Sequence, residues 1–448
     1  MVLTIKGKFV LTMDDKLGII RDGAVVVEGS KIIDVGPQKN MKEKHGEDEV
    51  IDIGNGVVMP GLISSHTHIY GILSHGMPVY NAPTTFIGFL EDFWWPYVEN
   101  LLDKDMIYAA AKMSSIEMIR TGTTAFADIL EAPNAIPGAL EVEAKAVNEV
   151  GLRGILSFEA TERMSRENGQ LGIKENLDFI KKYNEKESSL VRGMFSIHTT
   201  FTCSDEFLRE VRELANKIPA GIHIHLEEGA YESMYSLVNR RKLPVEFYEE
   251  IGFLGPDLIA SQCVHTTPKE MEILKKYDVK ISHMPVSNCE VGGGIAPVPE
   301  YLEKGLTVGL GTDGYVVDMF EVMRFAFLIH KANKQDASVM PADIVIKMAT
   351  RDNAKVIMWE NEIGSLTPGK KADIITIRNE FPTPLTDYNL VAQLVTFGTG
   401  NMVNDVIIDG KLVMRNREIL TVDVKKAEED IKAQANRLWS MIEERTKH

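Results

Sequence analysis

The sequence predicts an α/β protein: a (β/α)₈ TIM-type barrel with a small β-sandwich domain built from both chain ends. Three observations predict this fold class. Between about residues 60 and 355, apolar strand-like runs alternate with longer, charged helical stretches. Eight such runs can be counted, and both ends of the chain instead carry short β-branched runs separated by turns. Eight strand-then-helix units favour a closed parallel barrel over an open doubly wound sheet.

The pattern divides the chain into four units. We expect the N-terminal part of the β-sandwich at 1–58, the (β/α)₈ barrel at 59–360, the C-terminal part of the sandwich at 361–420, and a helix at 421–448. The last unit is charged and amphipathic, so it is expected to pack on the outside. The eight barrel runs are, in order, VMPGLISSH, TTAFADI, RGILSFE, MFSIHTT, AGIHIHL, DLIASQCVH, VKISHM and LTVGLGTD.

Composition limits the partners and the compartment. The 448 residues include 49 basic and 65 acidic side chains, a formal net charge of −16. Such a surface repels phosphate backbones and anionic lipids, so we expect neither nucleic acid nor membrane partners. No signal peptide or apolar run of membrane-spanning length is visible. The three cysteines, Cys203, Cys263 and Cys289, are widely spaced, which indicates reduced thiols in a cytoplasmic protein.

Histidines occur in pairs in two of the predicted strands. The first run ends with His66 and His68, and the fifth contains His223 and His225, with Glu228 three residues later. Strand side chains alternate, so both members of a pair can reach one point at the barrel mouth. Barrel active sites form at the C-terminal ends of strands. These residues are therefore candidates for function, although each taken singly could be a hydrogen-bonded core residue.

Two further runs end in polar side chains. The sixth ends with His265, and the eighth ends with Asp313, followed by Gly314. Burying so many imidazoles and carboxylates in one barrel is costly without compensation. A divalent cation held by histidines and one carboxylate, with an open position for water, supplies that compensation. The residues therefore predict a metal-dependent hydrolytic site.

The ordered motifs resemble those of the amidohydrolase superfamily, in its aminohydrolase or deaminase branch. That branch contains deaminases of adenosine-like thioethers, guanine and cytosine, and some triazine hydrolases. The resemblance runs from the first strands to about residue 420. It rests on Met59-Pro60-Gly61-Leu62-Ile63 before His66-Thr67-His68, His225 to Glu228, His265, Ser282-His283-Met284-Pro285-Val286-Ser287-Asn288, Gly311-Thr312-Asp313-Gly314, and the stretch from Gly364 to Asp373.

Several stretches are similar to one subgroup, the SsnA-type aminohydrolases. They are Phe93-Trp94-Trp95, the stretch from Ser157 to Arg163, and the stretch from Gly314 to Glu321. This subgroup occurs with anaerobic purine-degrading enzymes, which points to purine metabolism. The chain departs from it between Val291 and Pro297, where it looks more like the thioether-adenosine deaminases. The resemblance therefore implies a purine or purine-like ring without identifying it.

The resemblance implies one divalent metal per chain, bound by His66, His68, His225 and Asp313. His225 is preferred over His223 because Glu228 follows it by three residues, as in the family motif. Members with two metals bridge them with a lysine at the end of strand four, and the run MFSIHTT contains none. Zinc is the first expectation, while iron or manganese also suits histidine and carboxylate ligands.

The implied reaction is hydrolytic deamination of a nitrogen heterocycle, a hydrolysis of C–N bonds other than peptide bonds. Hydroxide formed at the metal attacks the ring, and ammonia is released. Asp313 accepts the water proton, and His265 stabilises the attacking oxygen and the tetrahedral intermediate. Glu228 protonates the neighbouring ring nitrogen. The alternative is a ring-opening hydrolysis of a cyclic amide, or a dehalogenation, at the same site.

Further residues are candidates for substrate binding. His198 matches a substrate-contacting histidine of the thioether-adenosine deaminases. The segment from His75 to Trp95 follows strand one and is expected to line or cover the pocket. Within it Trp94 can stack on a planar ring, although a core role for it or for Trp95 is an equal alternative. Glu159, at the tip of strand three, is the last candidate.

Two alternatives and one expectation by analogy complete the prediction. Glu159 could instead form a loop salt bridge with Arg163. Cys263 lies two residues before His265, which raises a cysteine hydrolase as a rival, although a buried neutral thiol is the commoner state of such a residue. Relatives are often dimers, so a homodimer is expected by family analogy only.

Overall fold

The computed structural model describes residues 2–77, 83–185, 189–218 and 220–446. Within these ranges the strands belong to two separate sheets. In chain order the strands are β1 Val2–Leu11, β2 Ile19–Glu28, β3 Lys31–Pro37, β4 Glu49–Asp52, β5 Val57–Pro60, β6 Leu62–Thr67, β7 Thr123–Leu130, β8 Arg153–Ala160, β9 Val191–Gly193, β10 Phe195–Ile197, β11 Ile222–Leu226, β12 Leu258–Gln262, β13 Lys280–His283, β14 Val308–Leu310, β15 Ile374–Ile377, β16 Val403–Ile408, β17 Lys411–Arg415 and β18 Glu418–Ile419.

Helices separate most of the barrel strands. No helix within the described ranges is long and apolar enough to cross a bilayer. The α-helices are α1 Gln38–His45, α2 Phe86–Gly88, α3 Trp95–Tyr97, α4 Lys104–Arg120, α5 Ala139–Val150, α6 Arg166–Tyr183, α7 Asp205–Lys217, α8 Ala230–Arg240, α9 Pro244–Glu250, α10 Pro268–Lys276, α11 Pro285–Glu290, α12 Val298–Glu303, α13 Met319–Lys334, α14 Ala342–Met348, α15 Arg351–Val356, α16 Leu390–Phe397 and α17 Val424–Thr446. Shorter 3₁₀ turns cover Ile69–Ser74, Glu99–Leu101 and Gly400–Met402, and a π-helical turn covers Phe89–Trp94.

Helix starts follow local capping chemistry. Asp103 accepts hydrogen bonds from the first backbone N–H groups of α4, and Ser165 and Ser204 do the same for α6 and α7. Thr267 and Glu270 form a reciprocal capping box at α10. Each cap satisfies backbone donors that have no partner inside the helix, so polar residues fix where the helices begin after the strands.

The barrel is parallel and closes between its first and last strands. The order is β14-β13-β12-β11-β10-β8-β7-β6, with β9 paired at the side of β8. The Thr312 backbone N–H donates to the His66 carbonyl at 2.9 Å, which joins the ends of β14 and β6. A Cβ on Gly311 would lie 2.7 Å from that carbonyl oxygen, so glycine permits the close approach. The predicted barrel class is confirmed.

The strands from the two chain ends form one sheet, in the order β18-β17-β16-β15-β5-β1-β2-β3, with β4 on β1. The halves join where β5 pairs with β15 in antiparallel register. Apolar residues of these strands, including Ile5, Val25, Val58, Ile374 and Ile407, pack into a core of their own. β5 crosses the predicted boundary at residue 58, and the four predicted units stay a prediction.

A buried ion pair joins the barrel to the end sheet. Arg153, the first residue of β8, donates to Asp373 at 2.7 and 3.1 Å and to Asp409 at 3.1 Å. Burial alone would lower the pKa of Arg153, but the two carboxylates outweigh it and raise the pKa. The side chains of Arg153 and Asp373 are 5% and 3% exposed. Removing one partner therefore leaves an uncompensated buried charge.

We predict that Asp373→Ala lowers the free energy of unfolding by about 3–5 kcal/mol, the usual cost of breaking a buried pair from one side. The matched control is Asp387→Ala, which removes another two-point partner of an arginine, Arg21, on the surface. That pair is exposed, so its loss should cost less than about 1 kcal/mol. Urea unfolding followed by fluorescence measures both changes, and equal losses would contradict the prediction.

Candidate active site

Three imidazoles converge at the barrel mouth. His66 lies one residue before the end of β6, His68 directly follows the strand, and His225 lies in β11, so alternation along the chain directs the three rings to one point. One nitrogen of each ring lies within 4.8 Å of the others. The Nε2 atoms of His68 and His225 are 3.2 Å apart. Tetrahedral ligands at about 2.0–2.1 Å from a metal are separated by a similar distance, so the cluster fits a divalent cation.

Neighbouring groups fix the tautomers of these rings. The Ile129 carbonyl lies 2.8 Å from His68 Nδ1, so that nitrogen carries the proton and Nε2 keeps its lone pair. His66 Nδ1 lies 2.9 Å from the Ser261 hydroxyl and 3.0 Å from His223 Nε2. His66 Nε2 is buried without a hydrogen-bond partner. An orphaned ring nitrogen aimed at two other imidazoles fits a metal ligand, and His223 lies behind the cluster as expected.

Burial keeps most of these histidines neutral. It lowers the pKa of His66 and His223 well below the usual range and that of His225 to about 4. At His68 burial acts in the same direction, but Glu131 and Asp313 outweigh it and raise the pKa. Neutral imidazoles offer the lone pairs that a metal requires.

Asp313 joins the cluster from the end of β14. Its Oδ1 lies 3.6 Å from His68 Nε2, and its Oδ2 lies 4.0 Å from His66 Nε2. The backbone of Asp313 has φ of +58°, an uncommon conformation for a residue other than glycine, which turns the carboxylate into the mouth. The carboxylate accepts from the Gly314 backbone N–H at 2.7 Å. The structure therefore brings together all four predicted metal ligands.

A cavity of about 280 Å³ lies over this cluster. His68, His225, Glu228 and Asp313 form its polar wall. Burial, followed by repulsion from Asp313, raises the pKa of Glu228 well above the usual range for a glutamate. The raised pKa favours the protonated carboxyl, which is the form that can donate a proton. An aromatic wall of the same cavity contains Phe86, Phe89, Phe93 and Trp94.

The predicted substrate contacts lie in different positions. His75, His198 and Trp94 line the cavity. Glu159 is buried one layer behind, with Oε1 3.5 Å from His198 Nε2. Trp95 instead packs edge-on against His198, with ring centroids 5.7 Å apart. Part of the predicted covering segment, residues 78–82, lies outside the described residues.

His265 does not join the other predicted site residues. Its side chain is exposed, and its Nε2 lies 2.9 Å from the Gly293 carbonyl. The strand-six side chain that reaches the cluster is Gln262, which donates from Nε2 to Asp313 Oδ2 at 2.7 Å. The physical reason is that β12 ends at Gln262, where two successive left-handed residues turn the chain away from the mouth.

Two alternatives from the sequence concern Cys263, as a reactive thiol, and Arg163, as an ion-pair partner of Glu159. Cys263 is fully buried, and burial raises the pKa of its thiol well above the usual range, so it is a neutral core residue. Arg163 forms its ion pair with Glu99, at 2.5 Å from Nη2 to Oε2. The guanidinium of Arg163 also lies 5.0 Å from the ring centroid of Trp95.

A group of three buried glutamates adjoins the histidine cluster, and it was not predicted from the sequence. One oxygen of each of Glu99, Glu131 and Glu159 lies within 4.8 Å of the others, all buried. Burial and the neighbouring carboxylate of Glu131 raise the pKa of Glu99 and of Glu159. At Glu131, His68 and the two other carboxyls outweigh burial and lower the pKa, so Glu131 is the ionised member. Tyr70 donates to its Oε2 at 2.6 Å.

A signal for Glu131 was present in the sequence. It directly follows TTAFADIL, now β7, so the rule that strand tips carry function applies to it. Glu131 also lines the cavity. Glu99 lies in a short 3₁₀ turn with no comparable sequence signal.

Comparison with known proteins agrees with this geometry. The model of the amidohydrolase family matches residues 57–413. The chain belongs to this family. It is 36% identical over 444 residues, 98% of this chain and 99% of the relative, to a protein of Methanosarcina mazei named 5'-deoxyadenosine deaminase. It is 35% identical to a 5-methylthioadenosine/S-adenosylhomocysteine deaminase of Thermoanaerobacter pseudethanolicus, over 98% of this chain and 99% of that one.

Solved structures share the fold of this amidohydrolase. An adenosine deaminase of Xanthomonas campestris with bound zinc superposes with a TM-score of 0.87 at 22% identity, covering 98% of both chains. A guanine deaminase of C. acetobutylicum superposes with a TM-score of 0.80 at 20% identity, covering 92% of this chain and 100% of that one. The predicted superfamily and branch are confirmed, while the SsnA subgroup stays a prediction.

We predict that His68→Ala removes the bound metal, because it deletes one of the converging imidazoles. The matched control is His265→Ala, since His265 is exposed and turned away from the cluster. Metal content per chain after dialysis, measured by plasma mass spectrometry, should fall from about one to near zero only in His68→Ala. Loss of metal in His265→Ala would contradict this arrangement.

Proposed function

We propose that this amidohydrolase is a metal-dependent hydrolytic deaminase of a purine or purine-like heterocycle. The observation that carries the proposal is the convergence of three buried imidazoles and the Asp313 carboxylate beside a cavity that Glu228 also lines. Relatives that match almost the full chain are named as deaminases of adenosine-type compounds, which supports the same reaction here. The described ligands suit zinc first, with iron or manganese as alternatives.

His66, His68, His225 and Asp313 would hold the cation. When bound there, a divalent cation supplies Lewis acidity that makes hydroxide available from water near neutral pH. The free lone pairs of the buried imidazoles and the two-point fixation of Asp313 preorganise the site. Little rearrangement is then needed on loading.

Asp313 and Glu228 divide the proton transfers. Asp313 takes a proton from the attacking water as the new C–O bond forms. Glu228, whose protonated form is favoured by its raised pKa, donates its proton to the adjacent ring nitrogen, so no negative charge accumulates there. The C–N bond to the exocyclic amine then breaks, and the proton held by Asp313 leaves with the nitrogen as ammonia. The hydroxyl proton of the intermediate is lost as the C=O bond forms, and it replaces the proton that Glu228 donated. Water plus amine-bearing ring thus gives oxo ring plus ammonia.

The cavity walls fit a planar ring with hydrogen-bond donors. Trp94 is held by a hydrogen bond to Tyr70 at 3.4 Å and stacks on Phe89, with centroids 5.4 Å apart. This aromatic wall suits the face of a heterocycle. Ionised Glu131 and the buried His198 also line the cavity and offer acceptors to the ring edge. We assign His75, His198 and Trp94 to direct substrate contact, and Glu159 to holding His198.

We predict ammonia release from one ring class in a panel of purines, pterins, thioether adenosines and pyrimidines. The protein is reconstituted separately with zinc, iron and manganese, and ammonia is measured by a coupled assay. Asp313→Ala should abolish release while the circular dichroism spectrum is unchanged. Full activity in that variant would overturn the mechanism. No ammonia from any ring, with metal bound, would favour ring-opening of a cyclic amide or dehalogenation.

Glu228→Gln tests the acid role. Losing a general acid typically lowers kcat by about 10²–10⁴-fold, and we expect a loss in that range with metal content unchanged. Because the active form of Glu228 is protonated, kcat of the parent enzyme should fall as pH rises through its raised pKa. The glutamine variant should lack that alkaline fall. A variant with the parental rate and profile would exclude this role.

A further inference from the structure

We propose that Gln262 positions Asp313, in the place where the family resemblance implies a strand-six histidine. The inference rests on the proposed function for its catalytic meaning, but its contacts are independent of any substrate. Gln262 is the last residue of β12 and is fully buried. Gln262 is not one of the described residues that line the cavity. It therefore acts through Asp313 and not directly on the substrate.

The hydrogen bonds of Gln262 fix the direction of its amide. Its Nε2 lies 2.7 Å from Asp313 Oδ2, and its Oε1 accepts from Asn288 Nδ2 at 2.5 Å. An ionised carboxylate can only accept, so the group that faces Asp313 must be the NH₂. Asn288 then takes the opposite end. The chain Asn288–Gln262–Asp313 therefore has one consistent orientation.

The backbone is shaped to deliver this side chain. Gln262 and Cys263 have φ of +75° and +48°, conformations that residues other than glycine seldom adopt. Cys263 donates its backbone N–H to the Leu226 carbonyl at 2.8 Å, and Val264 donates to Glu227 at 3.0 Å. These bonds to the end of β11 hold the turn. The same turn directs Gln262 inward and His265 outward, and such uncommon backbone conformations cluster at functional sites.

Asp313 is thereby held from both sides by neutral donors. Gly314 N–H binds Oδ1 at 2.7 Å, and Gln262 binds Oδ2 at 2.7 Å. Each oxygen keeps lone-pair capacity toward His66 and His68. A carboxamide carries no proton that it can lose, so the donor to Asp313 persists at every pH at which the protein is folded. Gln262 thus orients a ligand without competing for its proton.

The test is a double-mutant cycle on metal affinity. Gln262→Met keeps the volume and removes the N–H donor. Loss of a group that orients a metal ligand typically costs about 10–100-fold in metal affinity or activity, and we expect both losses here. In an Asp313→Ala background, the same change should alter zinc affinity by less than about 2-fold, because the group through which Gln262 acts is gone. Competition with a chromophoric chelator measures affinity.

Two further readouts separate positioning from general structure. The visible spectrum of the cobalt(II)-loaded protein should change in Gln262→Met and stay unchanged in Gln393→Met. Gln393 is another buried glutamine, bonded to Thr383 in the end region of the chain. If Gln262→Met fails to fold, Asn288→Ala replaces it, since it frees the far end of the amide and should give a smaller loss in the same direction.

The outcomes are distinct. Parental zinc affinity and cobalt spectrum in both Gln262→Met and Asn288→Ala would overturn the proposal. An equal loss of affinity in the Asp313→Ala background would also overturn it, since Gln262 would then act elsewhere. Coupling between Gln262 and Asp313 in a protein that releases ammonia from no ring would support this inference and reject the proposed function.

Discussion

The structure depends on the cost of burying many imidazoles and carboxylates at one end of a barrel. Three imidazoles converge on one point, those of His66, His68 and His225. Three carboxyls lie together beside them, those of Glu99, Glu131 and Glu159. Such groups are stable together only if charge is shared, protons are shared or a cation is bound. The raised pKa of Glu228 and the lowered pKa of Glu131 are consequences of how this chain meets that requirement. The same buried atoms therefore affect both the stability of the fold and the chemistry of the site.

The backbone conformation at the ends of the strands sets the direction of side chains at the site. Glu227, Gln262 and Asp313 all have positive φ, at the ends of β11, β12 and β14. Each of them ends an extended run. The Asp313 carboxylate lines the cavity, and the Gln262 side chain donates a hydrogen bond to it. The rest of the barrel is packed firmly enough to impose these conformations, which local preference would avoid. The aromatic wall arrives separately, from the turns after β6.

Much of this arrangement could be predicted because it is periodic. Alternation indicated that the pair His66 and His68 and the pair His223 and His225 can each reach the barrel mouth, and the family resemblance favoured His225. The structure brings His66, His68 and His225 together with Asp313. The placement of His265 could not be predicted, because the sequence does not show that β12 ends at Gln262 in two left-handed residues. The ion pair of Arg163 with Glu99 joins distant segments that no local pattern connects.

The pairing of β5 with β15 has a consequence for synthesis of the chain. Residues 57–60 find their antiparallel partner more than 300 positions later, in 374–377. The edge of β5 that pairs with β15 therefore stays unpaired until almost the whole polypeptide has left the ribosome. Such long-range pairing slows folding and exposes edges to aggregation. During that interval strands β1 to β3 can pair with one another. The sheet is completed late, after the residues of the barrel have been synthesised.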